Sequence, residues 1–532
     1  MDLSRLTNFN RVEKLSFPAL VKENFAFYLL GLNLLLALFL RLYNLAGIPV
    51  WVTPDEAVNG VDAYSLSQTL RDHHGNFLPP MLESFDDWAS PALTYLTVPF
   101  VWLLGLSEFT VRLPVALTGV ASVGLIYLLV KKLTNRKELG LLASFLLCLM
   151  PWHIISSRYA IPNNIVTFFL LLTLYLFIVV CEDKPAIWKF AAVGLCAGFQ
   201  VYIYPTQKVF VLLLLGLFLL SDVLAKTSLK LIFRKYAAIF GTFLLITSPV
   251  YLLTLADPGK YNARFNDISI LSTGGNPFIE FFKRYFSYFS LDFNFGAGIT
   301  YKFLAVFYIA GIIACLYALF ARTPSFISKP VSLILLGWLL IYSIPASLTI
   351  DYYHFNRSIH GFSVILILTV IGFGVLLDFL KNKRLVIPVA WAVVLLFTAY
   401  YFYIFGAEYF VNYPRTTNDE FQHGAKAYSQ YLALNDARYR SVKVDSRVTK
   451  PYVYYLFYSG KDPRQYNYVE INARRTPEEQ LIGVLKLDKY TFGPITAGDL
   501  ANTTEIYAVK DKNGQSWYRI FASDDNWYVV KQ

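Results

Sequence analysis

Charged residues are scarce in this sequence. Only 16% of the 532 residues are Asp, Glu, Lys or Arg, whereas soluble domains carry roughly 25%. Hydrophobic residues make up 56% of the chain, and the mean hydropathy is +0.46. Because apolar stretches of membrane-spanning length also recur along most of the chain, this composition excludes an ordinary soluble globule and an intrinsically disordered protein.

Cysteine is scarce as well. The four cysteines lie in or at the ends of apolar segments, without the spacing of a metal site or a disulfide framework. A disulfide-rich scaffold is therefore excluded, and we expect Cys148, Cys181, Cys196 and Cys315 to be small apolar fillers.

The few charges are unevenly distributed. Residues 407–532 hold 17 Lys or Arg and 15 Asp or Glu, about a quarter of that segment, whereas residues 1–406 hold 30 and 21. We therefore predict a membrane domain at 1–406 and a soluble domain at 407–532. The net charge of +11 lies mostly in the membrane domain, where it records orientation and does not indicate a nucleic-acid partner.

Eleven apolar runs are long enough to cross a bilayer, at about 20 residues each. They lie near 25–46, 113–130, 139–156, 164–181, 188–204, 208–223, 236–255, 301–320, 331–350, 359–379 and 385–405. A twelfth run at 92–104 is short and lies beside Pro91 and Pro99. We interpret it as a helix at the outer interface, so the fold is mainly α with about eleven transmembrane helices.

The basic residues predict the orientation. With 92–104 outside the membrane, 19 of the 30 basic groups of the membrane domain fall on one side, together with only 8 of its 21 acidic groups. The positive-inside rule then places the N-terminus in the cytoplasm and the soluble domain outside a plasma membrane. The first apolar run is too long for a cleavable signal and lacks a small-residue cleavage site.

Polar chemistry should therefore sit on the outer side, where the long loops are. Asp55 and Glu56 follow the first span and Pro54. A carboxylate at this depth suits a general base, although a helix N-terminus also favours acidic residues through its dipole.

Other outer loops carry candidate substrate ligands. Arg158 could clamp a phosphate, or it could be an arginine that extends its charged end to the interface, and His153 lies at the same helix end. The remaining candidates lie in three other segments on the outer side. Tyr204 and Lys208 lie in one, and Asp87 lies in another beside Asp86 and Trp88. His354 and Arg357 lie in the third, within a cluster that also holds Asp351 and His360. An aromatic belt or a solvated loop would explain the same residues.

The glycine-rich phosphate loops of nucleotide enzymes are missing, and no Asp-x-Asp pair stands beside a soluble nucleotide-sugar fold. We therefore expect any activated donor to reach the site from the lipid phase.

An ordered set of motifs resembles the bacterial branch of the protein-mannosyltransferase family, glycosyltransferase family 39. The set is Pro54-Asp55-Glu56-Ala57, Ser90-Pro91, Glu108-Phe-Thr-Val-Arg112-Leu-Pro, Pro151-Trp-His153 through Ser157-Arg158, and Tyr202-Ile-Tyr204-Pro205. The resemblance covers roughly residues 26–405. It implies a GT-C fold and an inverting transfer from a polyprenyl-phosphate sugar to an acceptor hydroxyl on a glycan, lipid or protein. It maps the family's first-loop carboxylate onto Asp55, as a base or an acceptor-orienting group, and a donor-phosphate contact onto Arg158.

The sequence also departs from that family. Asn163 or Asn164 stands where several relatives have an aspartate, and Ala89-Ser90 replaces the Glu-Lys of the aminoarabinose-transferring branch. No metal site is therefore implied, although a divalent cation is compatible with transfer. The sugar and the acceptor stay open.

The soluble domain shows both kinds of secondary structure. A helix is expected at Asp419–Leu434, and strands at Ser441–Asp445, Glu505–Val509, Trp517–Phe521 and Trp527–Val530. It could bind the acceptor or serve as a lid.

Two other classes of protein remain open from the sequence. A polytopic transporter or flippase of a lipid-linked or small polar substrate would also have many spans, but no inverted repeat is evident and the charges do not gather at mid-membrane. A membrane scaffold without catalysis is the third class.

Overall fold

The computed structural model describes residues 17–84, 87–182, 186–296, 299–321, 327–383, 385–416, 424–462, 468–470, 484–510 and 516–531. Within these ranges, nine helices are long and apolar enough to cross a membrane. They are Phe25–Leu42, Glu108–Thr134, Pro162–Val179, Gln207–Leu224, Leu229–Ala256, Lys302–Phe320, Lys329–Ser347, Phe355–Phe379 and Val386–Thr416. The predicted multi-pass helical membrane fold is confirmed.

The other two predicted spans correspond to shorter helices. The run at 139–156 forms Lys137–Leu149, then Met150 adopts an extended conformation and Pro151 starts a new helix, Pro151–Ser156. A proline cannot continue the helix before it, because its ring displaces the preceding residue from helical geometry. The run at 188–204 forms Ile187–Val201.

The first outer loop folds into two helices and a hairpin. The first-loop helix spans Pro54–Thr69, and strands Leu82–Ser84 and Asp87–Ala89 pair antiparallel. The predicted short helix is present at Ala92–Leu104 and is too short to cross a bilayer. The backbone N–H of Ala92 donates to the carbonyl of Tyr202, 3.0 Å away, which joins this helix to the predicted Tyr204–Lys208 loop.

The second long outer loop contains four short helices. They span Pro258–Tyr261, Ala263–Ile268, Pro277–Ser287 and Leu291–Phe295. Ile350 donates its backbone N–H to the carbonyl of Ile268 over 2.8 Å, so this loop is fastened to the chain segment that carries Arg357.

The soluble domain is a mixed sheet with helices, as predicted. The described helices of this domain include Ala425–Leu434 and Pro451–Ser459, and the second of these, the tail helix, was not predicted. The sheet runs, from edge to edge, Tyr468–Glu470, Val484–Leu487, Tyr490–Gly493, Ser441–Asp445, Asn526–Lys531, Ser516–Ser523 and Thr504–Lys510. Ser441–Asp445 pairs in parallel with both of its neighbours, and the other pairs are antiparallel.

The tail helix packs directly on the first-loop helix. A Cβ added at Gly60 would lie 2.5 Å from the ring of Phe457, so the close approach requires glycine at that position. The hydroxyl of Tyr454 donates to the carbonyl of Val52 over 3.0 Å, and Lys426 pairs with Glu108 over 2.6 Å. The membrane region and the soluble domain therefore share one packed contact at the first outer loop.

Arg158 binds the C-terminal end of the first membrane helix. Its side chain is 0% exposed. One terminal nitrogen donates to the carbonyls of Leu40 and Arg41, and the other donates to those of Tyr43, Asn44 and Ile48, at distances of 2.7 to 3.4 Å. Leu40 and Arg41 belong to the last turn of that helix, where a helix end leaves carbonyls without partners, and the other three carbonyls lie in the chain that follows.

The prediction that Arg158 contacts a donor phosphate is therefore corrected, because its terminal N–H groups are already bound to backbone. His153 is likewise corrected to a structural residue. It is buried, and its Nδ1 lies 2.7 Å from the guanidinium of Arg41.

We predict that Arg158→Lys lowers the free energy of unfolding by about 2 kcal/mol or more, because an ammonium lacks the planar fork and leaves buried carbonyls without donors. Thermal unfolding in detergent, followed by tryptophan fluorescence, measures the effect. Arg440→Lys, at an exposed pair with Asp525, is the control and should change stability little. Wild-type stability of Arg158→Lys with weakened donor binding would restore the phosphate role.

Candidate functional site

The two adjacent acids of the first outer loop have opposite environments. Thr53 caps the first-loop helix, accepting the backbone N–H of Glu56, and Pro54 occupies its first position. Asp55 lies in this first turn with an exposed side chain. The general-base role of Asp55 stays a prediction, and the exposed carboxylate is the property on which that role depends.

Glu56 is buried, at 1% exposed, and both of its oxygens are occupied. Oε1 accepts from Nε of Arg112 at 2.8 Å and from the backbone N–H of Ala160 at 2.9 Å. Oε2 accepts from the backbone N–H of Thr53 at 3.0 Å and from Arg112 at 3.2 Å. The prediction of Glu56 as a reserve base is corrected, because this carboxylate is a structural ligand of a buried guanidinium.

Arg112 was not predicted as a site residue, although it belongs to the quoted Glu108–Pro114 motif. It also donates to the carbonyls of Leu45, Pro49 and Trp51, at 2.7 to 3.1 Å. The sequence did contain a signal for it: Arg112 is a lone arginine one turn inside an apolar helix. Such a charge requires a buried partner, which marks the residue as a candidate. Arg112 and Glu56 together hold the turn that presents Asp55.

The soluble domain reaches the same turn. The rings of Trp51 and Trp517 lie 6.3 Å apart in an edge-to-face arrangement. Burial raises the pKa of the Tyr454 hydroxyl, and the charges of Glu56 and Asp55 contribute to the rise. Asp55 is thus close enough to the tail helix for the two to interact electrostatically.

Arg357 lies in a second cluster of polar residues. It is buried and donates to the Thr349 hydroxyl at 2.7 Å and to the carboxylate of Asp351 at 2.5 Å. The Asp351 side chain is half-exposed. Burial, and then the charge of Arg357, lower the pKa of His354, which favours its neutral form. The cluster therefore presents one cation and one neutral imidazole.

The loop at residues 157–163, here called the second outer loop, links the two clusters. Ala160, which donates to Glu56, lies shortly before Asn163, and the side-chain amide of Asn163 donates to the carbonyl of Asn356 over 3.3 Å. Asn356 is the residue before Arg357. Hydrogen bonds thus lead from the turn of Asp55 to the segment of Arg357.

Two further predicted residues lie where the helix Ile187–Val201 is connected to the helix Gln207–Leu224: Tyr204 is in the connection and Lys208 is in the first turn of the second helix. Tyr204 and Lys208 are half-buried. Gln207, between them, has its amide nitrogen 3.4 Å from Nδ1 of His360, which places this loop beside the helix that follows Arg357.

Asp87 was predicted as a substrate ligand, and its side chain lies outside the described residues, as does Asp86. The neighbouring Trp88 contacts the other long outer loop. Its ring lies 4.9 Å from that of Tyr261 and 4.4 Å from the ammonium of Lys260. Lys260 was not predicted from the sequence.

A metal centre is not evident in the described part of the chain, where no three His, Cys, Asp or Glu side chains are grouped to hold an ion. The carboxylates of Glu56 and Asp351 bind cationic or backbone donors.

Residues 32–257 match the family model "Dolichyl-phosphate-mannose-protein mannosyltransferase". Over 146 residues the chain is 34% identical to an uncharacterized protein of Aquifex aeolicus, covering 27% of this chain and 28% of that one. Over 163 residues it is 30% identical to the putative mannosyltransferase YkcB of Bacillus subtilis, covering 30% of this chain and 22% of the relative. These matched segments span under a third of either relative.

The structure is similar to that of the oligosaccharyltransferase AglB from Archaeoglobus fulgidus, solved with an inhibitory peptide and a dolichol-phosphate. The TM-score is 0.54 at 13% identity, and the similarity covers 83% of this chain and 64% of AglB. At this identity the similarity establishes the fold. The chain therefore has a GT-C fold, and its residues 32–257 are similar to the protein-mannosyltransferase family.

Proposed function

We propose that this protein transfers a sugar from a polyprenyl-phosphate donor to an acceptor hydroxyl on the outer face of the plasma membrane. The supporting observation is the exposed Asp55 on a turn that the buried Glu56–Arg112 pair holds in place and that hydrogen bonds link to the segment of Arg357. A proton acceptor and a cation at one end of a helical bundle are the groups that glycosyl transfer needs.

In the proposed step, the acceptor oxygen attacks the anomeric carbon and forms the new glycosidic bond. Its proton goes to the Asp55 carboxylate. The bond from the anomeric carbon to the phosphate oxygen breaks, and its electron pair leaves with the phosphate. A single displacement of this kind inverts the anomeric centre.

Charge then develops on the leaving phosphate, and Arg357 and Lys208 offset it. Arg357 is already paired with Asp351, but that carboxylate is half-exposed and can turn into water when a phosphate takes its place. His354, neutral beside Arg357, is a hydrogen-bonding partner for the donor, and Tyr204 is a surface for its sugar ring.

The names of the relatives support the choice of donor. One relative is a putative mannosyltransferase, and AglB was solved with a dolichol-phosphate. Mannose on a polyprenyl phosphate is therefore the first donor to test. The assay should include arms with added divalent cation and with chelator, which measure whether a cation contributes.

We predict that Asp55→Asn lowers the turnover number by about 10²–10⁴-fold, the usual contribution of a general base, because the amide keeps the shape and cannot take the proton. Release of polyprenyl phosphate by purified protein measures it. Asp292→Asn is the matched control, since Asp292 is also an exposed aspartate in a first helical turn. Near-wild-type turnover of Asp55→Asn would remove this residue from the mechanism.

We predict a different result for Glu56→Gln. Losing the charge that pairs with buried Arg112 should lower the free energy of unfolding by about 3 kcal/mol or more, whereas Asp55→Asn should leave it nearly unchanged. The melting temperatures of the two variants in the same detergent decide the point. A stable Glu56→Gln protein without turnover would return Glu56 to the catalytic role.

The orientation is tested with single introduced cysteines. Ala501→Cys lies in the soluble domain and Ala225→Cys at the inner end of a membrane helix, and both positions are exposed. We predict that a membrane-impermeant maleimide labels the first in intact cells and the second only after permeabilisation. The opposite pattern would place the soluble domain and Asp55 on the cytoplasmic side.

A further inference from the structure

The helix Pro277–Ser287, here called the anchor helix, was not identified from the sequence. The side chain of Asn276 caps it, accepting the backbone N–H groups of Phe278 and Ile279 at 3.0 and 3.4 Å, and Pro277 occupies the first position. Glu280 in its first turn and Arg284 in its last complement the helix dipole. These local signals make it a regular helix of three turns.

One face of the anchor helix is apolar and exposed. The side chains of Phe278, Ile279, Phe282 and Phe286 are between 37% and 72% exposed. Three of them recur every fourth residue, so their rings form a row, with centroids 4.7 Å apart for the first two phenylalanines and 6.0 Å for the next two. Such a row of aromatic rings in water would carry a large unfavourable free energy.

The opposite face is fixed to the protein. Arg284 is buried and paired with Glu280, and its Nε donates to the carbonyl of Ile350 over 3.2 Å. Its guanidinium also lies 4.6 Å from the ring centre of Tyr352. At the edge of the phenylalanine row, Tyr285 donates to the carbonyl of Leu340 over 2.8 Å. The exposed face is thus held in one orientation.

The position of the anchor helix in the chain indicates what covers that face. It lies between the membrane helices Leu229–Ala256 and Lys302–Phe320, so the intervening chain begins and ends at membrane helix ends. Tyr352, Tyr353 and Leu271, from the segments against which it packs, are also exposed. Lys283 lies beside the phenylalanines and is paired with Glu280 over 3.1 Å, but its side chain is 59% exposed, so its ammonium can also reach lipid phosphates.

We propose that the anchor helix lies in the headgroup region of the adjoining leaflet, with its phenylalanine face in lipid, and that the bilayer is its binding partner. Through Arg284 it then holds the loop of Asp351 and Arg357 at a set depth in the interface. The proposal depends on placement in the membrane, and it stands whether or not the protein transfers sugars.

The experiment uses the full-length protein in lipid nanodiscs. An environment-sensitive nitrobenzoxadiazole dye is attached to Phe282→Cys or Phe286→Cys, and in a separate variant to Ala501→Cys as the water-exposed control. Wild type treated with the same dye measures labelling of the four native cysteines, of which Cys148, Cys196 and Cys315 are buried. Lipids that carry a spin label near the headgroup or deep in the acyl chain then quench the dye.

We expect blue-shifted emission at both phenylalanine positions, with stronger quenching by the shallow spin label than by the deep one, and water-like, unquenched emission at Ala501. Water-like emission at the phenylalanine positions would overturn the proposal. Blue-shifted emission without quenching by either lipid would also overturn it, because protein would then cover the face, as in contact with a second copy of the chain. Circular dichroism of each labelled variant verifies that the fold is intact.

Discussion

The carboxylate of Glu56 is the interaction on which the outer side of this protein depends. It receives the guanidinium of Arg112 and the backbone N–H groups of Thr53 and Ala160. Three segments far apart in sequence therefore meet at one buried charge. Removing an ion from water is costly, and only such complete hydrogen bonding makes its burial tolerable. The geometry of Asp55 is a consequence of this arrangement.

Two buried arginines of this region bind the same stretch of backbone. Arg112 and Arg158 both donate to carbonyls of the chain that follows the first membrane helix, and Arg41 holds His153. A guanidinium can serve several carbonyls at once because its donors are planar and fixed. These residues build the rigid wall of the candidate site. Asp55 is exposed and Asp351, the partner of Arg357, is half-exposed, and these are the groups to which the proposed function assigns chemistry.

Three surfaces meet around those groups. The tail helix covers the first-loop helix from outside, the second outer loop connects it to the segment of Arg357, and the anchor helix fastens that segment on the other side. A lipid-linked donor and an acceptor in water would have to approach such a site from different directions. In the proposed arrangement, the soluble domain lies on the side of the acceptor, and the bilayer contact of the anchor helix lies on the side of the lipid-linked donor.

Much of the fold was predictable from the sequence. A bilayer requires about 20 apolar residues per helix, so hydropathy located the spans. The alternation of apolar and polar residues located strands such as Ser441–Asp445. The Thr53-Pro54-Asp55-Glu56 segment marked a helix start because capping is local chemistry. Those features depend on neighbours in sequence, which is why a single sequence suffices for them.

The roles of individual charges were decided only by the tertiary structure. Asp55 and Glu56 are chemically alike neighbours, and the difference between them comes from Arg112 and Ala160, which lie far along the chain. Arg158 and Arg357 both follow outer helix ends, yet one meets backbone carbonyls and the other a carboxylate and a hydroxyl. By itself the sequence determined which residues could carry charge at the outer surface. Burial and distant partners decided which of them are structural, because the environment of a charge is a property of the packed chain.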